Sequence, residues 1–225
     1  MTDINLNNDR QESSSRKLSI IDKLLLDADR MLKTLTGNTT AQRESPAESH
    51  EETELSSKQR RDIAGLMRVN HTGEICAQAL YQGQALTAKL PTIRNAMEQA
   101  AREEEDHLTW CEQRLQQLGS HTSLLNPAWY IGSFVLGAAA GAIGDRWSLG
   151  FVAATEERVC DHLKAHLVQL PEDDQKSRAV LKQMLVDEKA HGDKALEAGG
   201  VDFPLPLKSF MTATSKLMTK TSYHI

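Results

Sequence analysis

Glu104-Glu105-Asp106-His107 and Glu188-Lys189-Ala190-His191 share one pattern, E-x-x-H, and each tetrapeptide lies in a stretch with helical character. An α-helix has about 3.6 residues per turn, so residues three positions apart lie on one face, about one turn along the axis. A Glu and a His in this arrangement can bind one metal ion. The two tetrapeptides therefore predict two half-sites for metal ions.

Two further carboxylates stand at matching distances before the tetrapeptides. Glu74 precedes Glu104 by 30 residues, and Glu156 precedes Glu188 by 32, with Glu157 as the alternative at that position. Two antiparallel helices of about 15 residues return the chain to the same height over such a separation. The order Glu, E-x-x-H, Glu, E-x-x-H is the ligand arrangement of di-iron carboxylate four-helix bundles. The candidate metal ligands are Glu74, Glu104, His107, Glu156, Glu188 and His191.

Other polar side chains near these positions have two readings each. His162 and His166 are four residues apart and can chelate a metal, but the sequence favours one histidine beside the site and one on the surface. His71 either lines the pocket or completes a hydrogen bond within its own helix. A ligating histidine normally donates its second N–H to an acceptor. Asp187 and Glu103 are the candidate acceptors, because each directly precedes an E-x-x-H glutamate.

Composition limits the classes of function. With 225 residues the chain can form one domain with extensions. A net charge of −5 and a scarcity of aromatic residues argue against a nucleic-acid partner. Three cysteines with no C-x-x-C pattern suit a reducing compartment and are predicted to be small buried hydrophobic residues. The N-terminus has no export signal, so the protein is expected to stay inside the cell.

The first 56 residues divide by composition into three parts. Residues 1–16 are polar and predict a mobile tail. Residues 17–37 carry apolar side chains at helical spacing and predict an amphipathic helix that packs on the bundle, with a membrane or partner role as the alternative. Residues 38–56 are rich in Thr, Ser and Glu and predict a solvated acidic linker. Residues 57–225 are predicted to form the di-iron four-helix-bundle domain.

Local start and stop signals place the four bundle helices. The first runs from a Ser56 or Ser57 cap to about residue 89, and the second, capped by Thr92, runs to about residue 118. The third runs from about residue 147 to residue 170. The fourth restarts after Pro171 and ends at the glycine pair 199–200.

Two segments outside the four helices suggest contact with lipid. The segment from Ala128 to Gly144 contains no charged residue, and its length is at the lower limit for a membrane span. For residues 127–155 we favour an apolar hairpin or a shallow insertion, with a Gly/Ala-rich helix packed inside the bundle as the alternative. Beyond Asp202 the chain has lysines and no acidic residue, and an apolar stripe predicts a C-terminal helix that suits an anionic membrane or the bundle surface.

Several motifs together resemble the demethoxyubiquinol hydroxylases of ubiquinone biosynthesis, in their bacterial form. The most specific is Met67-Arg68-Val69-Asn70-His71-Thr72-Gly73-Glu74, which Gln82-Gly83-Gln84 follows. The two E-x-x-H tetrapeptides and the pair Glu156-Glu157, which follows a Gly/Ala-rich stretch, complete the likeness. It covers about residues 18 to 35 and 57 to 220. The resemblance implies an all-α, ferritin-like di-iron four-helix bundle with an N-terminal amphipathic helix, an apolar hairpin segment and a C-terminal helix.

The resemblance also implies an activity and a set of ligands. Two iron ions per subunit would be bound, one by Glu74, Glu104 and His107 and the other by Glu156, Glu188 and His191, with Glu104 and Glu188 bridging both. The substrates would be O2 and the lipid quinol 2-polyprenyl-3-methyl-6-methoxy-1,4-benzoquinol. The reaction would insert one oxygen atom into the quinol ring and release the other as water.

The resemblance further implies where the protein works and which partners it meets. A bacterial member would be a peripheral protein on the cytoplasmic side of the cell membrane. A ubiquinone-biosynthesis complex and a homo-oligomer are partners that the sequence allows. Two other classes of function stay open: an iron-storage or ferroxidase bundle, which has no need of an apolar segment, and a metal-free helical scaffold.

Overall fold

The computed structural model describes residues 20–37 and 39–225, and the regular structure of that part of the chain is helical. Its helices are α1 (Ile20–Thr36), a 3-10 helix (Pro46–Ser49), α2 (Ser57–Thr87), α3 (Pro91–Gln117), α4 (Asn126–Ile143), α5 (Asp145–Gln169), α6 (Gln175–Glu197) and α7 (Leu205–Ser222). The all-α prediction is confirmed. The predicted tail, residues 1–16, lies outside the described residues, as do residues 17–19 of the predicted amphipathic helix.

The bundle consists of α2, α3, α5 and α6, close to the predicted bounds, and local signals explain where its helices begin. Ser56 caps α2: its hydroxyl accepts from the backbone N–H of Gln59, whose side chain accepts in turn from the backbone N–H of Ser56. The prediction that Thr92 caps the second helix is wrong. Leu90 is the N-cap of α3 and Pro91 occupies the first turn, where its missing N–H costs nothing.

Helix α2 is the central element, because α3, α4, α7, α1 and α5 all pack against it. Polar side chains on this helix are therefore buried and find partners on neighbouring elements. Arg68 donates to the carbonyl oxygens of His121 and Tyr223 and to the hydroxyl of Ser120. These bonds tie the α3–α4 loop and the end of α7 to the middle of α2.

Two of the apolar clusters among the described residues lie toward opposite ends of the bundle, and the predicted metal ligands lie between them along the helix axes. One cluster packs Met67, Trp110 and Leu163 with neighbours from all four helices. The other packs Tyr81 and Leu149 with neighbours near the opposite ends of the same helices. Residues 74, 104, 156 and 188 fall between these two groups in the sequence of every helix. The polar site is therefore enclosed by hydrophobic core on both sides.

Residues 127–155 form α4 and the first part of α5, joined at Gly144, whose φ is 152°. One face of α4 packs directly on the backbone of α2. A Cβ atom on Gly137 would lie 2.2 Å from the carbonyl oxygen of Leu80, and one on Gly83 would lie 2.3 Å from that of Phe134. Because real Cβ atoms do not approach so closely, both positions require glycine. The alternative of a closely packed Gly/Ala-rich helix describes this face.

The other face of α4 leaves apolar side chains exposed, as the prediction of a lipid-contacting segment requires. They are Ile131, Val135, Leu136 and Ile143. Helix α7 packs on α2 and α5 and exposes a second apolar group, which consists of Leu205, Phe210 and Leu217. None of the helices in the described ranges is long and apolar enough to cross a membrane.

Residues 39–56, which we call the strap, lie along α3 and α6. Most of its side chains are exposed, but it is also anchored on the bundle at several points, which the prediction of a solvated acidic linker over residues 38–56 did not include. Ala47, in the 3-10 helix, is only 2% exposed and belongs to the apolar cluster around Trp110. Glu52 binds the buried guanidinium of Arg114, with N–O distances of 2.6 and 3.0 Å. Such long-range partners leave no local pattern in the sequence, so composition alone did not predict these contacts.

Candidate metal centre

Four of the six predicted ligands form one buried cluster. Glu74, Glu104, His107 and Glu188 each present a ligand atom, and these atoms all lie within 4.8 Å of one another. The four side chains come from α2, α3 and α6 and are nearly inaccessible to solvent. The other two predicted ligands, Glu156 on α5 and His191 on α6, are also buried.

Glu104 and Glu188 each face both histidines. The Nδ1 atom of His107 lies 2.9 Å from Oε2 of Glu104 and 2.9 Å from Oε1 of Glu188. The Nδ1 atom of His191 lies 3.0 Å from the other oxygen of Glu104 and 3.3 Å from the other oxygen of Glu188. Each carboxylate thus spans the two imidazoles with one oxygen toward each. This is the geometry that two bridging carboxylates between two cations require.

The second ring nitrogen of each histidine is held by a carboxylate from the opposite E-x-x-H helix. Nε2 of His107, on α3, lies 2.9 Å from Oδ2 of Asp187, on α6. Nε2 of His191, on α6, lies 2.7 Å from Oε2 of Glu103, on α3. Because a carboxylate only accepts, each Nε2 donates its proton to this partner. Each Nδ1 faces the oxygens of Glu104 and Glu188, so in the metal-free protein it also donates, and a bound cation would take the place of that proton. The two acceptors predicted from the sequence are therefore found, in a crossed arrangement.

Tyr81 is a member of the site that the sequence analysis missed. Its buried hydroxyl donates a short hydrogen bond to Oε1 of Glu156. Burial raises the pKa of Tyr81 well above its ordinary value, and the carboxylates of Glu156 and Glu104 raise it further. The hydroxyl therefore remains a donor. Tyr81 follows Glu74 by seven residues, about two helical turns, so the spacing on α2 contained a signal for it.

The carboxylates crowd negative charge into a dry interior. Burial, followed by the neighbouring charges of Glu188 and Glu104, raises the pKa of Glu74 and of Glu156 well above the ordinary value. Burial lowers the pKa of His191, but hydrogen bonds to Glu104 and Glu188 outweigh it and raise that pKa to about 11. The cluster therefore attracts positive charge, whether protons or metal cations.

The donor set fits divalent iron. Carboxylate oxygen and imidazole nitrogen are ligands for first-row divalent metals, whereas a structural zinc site is closed and tetrahedral and often contains thiolates. Oε1 of Glu104 and Oε1 of Glu188 are buried and make no hydrogen bond of good geometry, although they lie 3.0 and 2.9 Å from Nδ1 of His191 and of His107. A cation between these oxygens and the imidazole nitrogens would satisfy all of them with better geometry.

The alternative ligand positions lie outside the cluster. Glu157 is exposed and pairs with Lys208. His162 stacks on His166, whose Nδ1 lies 2.9 Å from Oδ1 of Asn70 on α2. The reading of His71 as bonded within its own helix also fails, since its partner is Asn126 on α4. Cys111 and Cys160 are buried and Cys76 is partly buried, in line with the prediction of small hydrophobic residues.

An apolar cavity of about 200 Å³ lies between α2, α4, α5 and α7 and reaches the cluster at Glu74. Leu80, Phe151 and Met211 are among its apolar walls, and Leu136 and Phe210 at its rim are also exposed to solvent. A polar cavity of about 580 Å³ lies on the opposite, histidine side and includes Asp187 and His191. The candidate site thus has an apolar side and a polar side.

Comparison with known proteins links this site to one family. A family model described as ubiquinone biosynthesis protein COQ7 matches residues 61–222. The chain is 59% identical over 214 residues to the 3-demethoxyubiquinol 3-hydroxylase of Pseudomonas syringae pv. syringae, which covers 95% of this chain and all of the relative. Proteins of the same name from Ectopseudomonas mendocina and Stutzerimonas stutzeri are each 60% identical, over 214 and 213 residues. The match to the Ectopseudomonas protein covers 95% of this chain and all of the relative. The match to the Stutzerimonas protein covers 94% of this chain and 99% of the relative.

Proposed function

The chain belongs to the COQ7 family of ubiquinone biosynthesis proteins, and from this premise we propose that it is a 3-demethoxyubiquinol 3-hydroxylase. It is a monooxygenase that uses O2 to hydroxylate the ring of 2-polyprenyl-3-methyl-6-methoxy-1,4-benzoquinol. The observation that carries the proposal is the contact between the buried Glu/His cluster and the apolar cavity, which meet at Glu74. An oxygen-activating centre and a lipid-binding wall are both needed for this reaction.

We propose two iron ions per subunit as the cofactor. Glu74, Glu104 and His107 would hold one, and Glu156, Glu188 and His191 the other, with Glu104 and Glu188 bridging because each faces both histidines. Bound iron supplies the activation of O2. Asp187 and Glu103 hold the Nε2 atoms and so orient each ring with Nδ1 toward the positions that the metal ions would occupy, and the hydroxyl of Tyr81 donates to Glu156.

The cavity orients the quinol. Its apolar walls exclude water from the ring and leave one direction, toward Glu74, in which the ring approaches the metal ligands. Ser133, on α4, is a polar residue of the wall that faces this space. The prenyl tail would leave between Leu136 and Phe210, whose side chains are both exposed. The substrate then enters directly from lipid.

The change Ser133→Phe is expected to lower kcat/KM for the quinol by roughly tenfold or more, because a misfit of a few carbon atoms in an apolar pocket has effects of this size. Iron content should stay unchanged, since Ser133 is not a ligand. Ala139→Phe, on the exposed part of α4, adds the same ring outside the cavity and should keep the parent kcat/KM. Equal kinetics for the two variants would contradict this cavity as the quinol site.

We propose that the protein is peripheral to the cell membrane, on its cytoplasmic side. Exposed apolar side chains on α4 and α7 border the mouth of the cavity, so one surface serves both for attachment and for substrate entry. Lys216 and Lys220 on α7 are exposed, and the sequence beyond Asp202 has no acidic residue to oppose anionic lipid. The same surface could carry a partner of a biosynthetic complex or a second copy, which native mass measurement would detect.

The double variant Ile131→Glu/Val135→Glu is expected to bind anionic vesicles at least about a hundredfold more weakly than the parent, because each apolar side chain contributes about 1.5–3 kcal/mol when buried in lipid. Flotation with vesicles of phosphatidylglycerol and phosphatidylcholine measures this. Val186→Glu alters an equally exposed valine on α6 and should float like the parent. Unchanged flotation of a folded double variant would refute attachment through α4.

The activity itself is tested by a single turnover. The purified protein is loaded anaerobically with two equivalents of Fe(II), mixed with demethoxyubiquinol and exposed to ¹⁸O2, and the quinol is weighed by mass spectrometry. One labelled oxygen in the ring is the expected result. Oxidation of iron without a change in the quinol would instead indicate a ferroxidase.

A further inference from the structure

The strap brings one cation to the polar side of the candidate metal centre. The guanidinium of Arg43 lies between α3 and α6 and joins a carboxylate from each helix. Its Nε is 2.5 Å from Oδ2 of Asp106, and its Nη1 is 2.9 Å from Oδ2 of Asp187. Asp106 also accepts from the backbone N–H of Gln42 at 2.6 Å, which fixes the strap at this point.

Asp187 connects Arg43 to His107. Its Oδ2 atom accepts from Arg43 and also from Nε2 of His107, at 2.9 Å in both cases. Its other oxygen accepts from the side chain of Gln183 at 2.9 Å. Three donors therefore determine where this carboxylate lies, and the carboxylate in turn determines the orientation of the imidazole.

Trp110 provides a second connection between Arg43 and His107. The Arg43 guanidinium lies 4.8 Å from the centroid of the Trp110 ring, and the indole N–H donates to the backbone carbonyl of Arg43. The ring of Trp110 in turn packs against His107, with centroids 5.4 Å apart. Arg43 is thus fixed to the neighbours of His107 through both a carboxylate and an aromatic ring.

The partner of the other histidine has no comparable cation among the contacts of the described residues. Glu103, which accepts from Nε2 of His191, accepts in addition from the side-chain amide of Gln99 at 2.9 Å, and its side chain is 35% exposed. The two half-sites therefore differ in how firmly the histidine is held. The acceptor of His107 has three donors, whereas the acceptor of His191 has two.

We infer that Arg43 is a positioning residue for the metal centre, which acts through Asp187 to hold the Nδ1 atom of His107 toward the metal. The inference rests on the proposed metal site but not on the hydroxylation itself. Only a planar guanidinium can bridge two carboxylates with separate N–H groups while it stacks on an indole. A residue in the strap, far from the E-x-x-H motifs in sequence, thereby tunes metal binding.

The test is a double-variant cycle with Co(II) as the probe. The parent, Arg43→Ala, Asp187→Asn and the double variant are titrated with Co(II) against a competing chelator, and the visible absorption of each Co(II) complex is recorded. Loss of a group that supports a ligand typically weakens metal binding roughly 10–100-fold. We expect Arg43→Ala to weaken Co(II) binding about tenfold with a shifted spectrum, and the double variant to bind no more weakly than Asp187→Asn alone.

Two control variants separate positioning from a general loosening of the strap. Glu52→Gln weakens the other anchor of the strap, at Arg114, and should leave Co(II) affinity and spectrum within about twofold of the parent. Arg43→Lys keeps the charge but reaches only one carboxylate, so it should not restore binding. Urea unfolding of the metal-free variants checks that each is folded.

Three results would overturn the inference: parent-like affinity and spectrum in Arg43→Ala, additive losses in the double variant, or an equal loss in Glu52→Gln. None of these measurements needs the quinol. A loss of Co(II) affinity in Arg43→Ala, combined with no ring hydroxylation by the iron-loaded parent, would refute the proposed activity and leave the positioning role intact.

Discussion

Replacing Glu188 by alanine is expected to abolish ring hydroxylation and to remove tightly bound iron. Glu188 is the carboxylate of α6 that faces both His107 and His191, so its loss affects both half-sites at once. Loss of an outer partner alone costs up to about a hundredfold in metal affinity or activity. The loss of a carboxylate that we propose to bridge both metal ions should exceed that value.

Iron per chain and labelled oxygen in the quinol ring after a single turnover measure this result. Glu188→Gln keeps the shape of the side chain and removes its charge, so it separates loss of ligation from loss of packing. Glu157→Ala removes an exposed carboxylate from α5 and should retain both iron and activity. Full iron content and parent-like activity in both Glu188 variants would refute the proposed centre.

Replacing Gly137 by alanine is expected to destabilise the fold by about 3 kcal/mol, at the upper end of what overpacking costs. The added methyl group would lie 2.2 Å from the carbonyl oxygen of Leu80. That atom belongs to the backbone of α2 and cannot move aside without shifting the helix. Because α4 also forms a wall of the apolar cavity that we propose for the quinol, the strain should lower activity together with stability.

Thermal unfolding of metal-free Gly137→Ala measures this effect, and a loss of about 3 kcal/mol corresponds to roughly 6–12 °C in Tm for a chain of this size. Gly132→Ala is the matched control on the same helix, because a Cβ atom there meets nothing within 4 Å. It should raise stability by about 0.5–1 kcal/mol, since alanine loses less backbone entropy than glycine. An equal Tm for the two variants would contradict the close packing of α4 on α2.

The sequence was sufficient to predict the bundle and the grouping of the site because both depend on helical spacing. The E-x-x-H interval places Glu104 and His107 on one face, and the interval between Glu74 and Glu104 matches two antiparallel helices. The acceptors Asp187 and Glu103 were predictable for the same reason, as neighbours of the ligands. The sequence did not predict which histidine each acceptor binds, because that pairing depends on how α3 and α6 pack.

Contacts between distant segments could not be predicted from the sequence. Arg43 lies in a stretch whose composition is typical of a solvated linker, and its partners at positions 106 and 187 are separated from it by more than sixty residues. For α4, composition indicated an apolar segment with close packing as an alternative. The sequence did not predict which face of α4 packs on α2. That face is set by the close contact between Gly137 and the carbonyl of Leu80, which exists only in the folded chain.

The crossed hydrogen bonds of the two histidines fix the axial alignment of α3 and α6. His107 and Glu103 are on one helix, and Asp187 and His191 are on the other, so a slide of either helix by one residue would break both bonds together. Neither half-site can therefore be rearranged while the other keeps its geometry. A mutation that shifted α3 or α6 along its axis would therefore weaken both crossed hydrogen bonds, and a compensating change would have to restore both half-sites together.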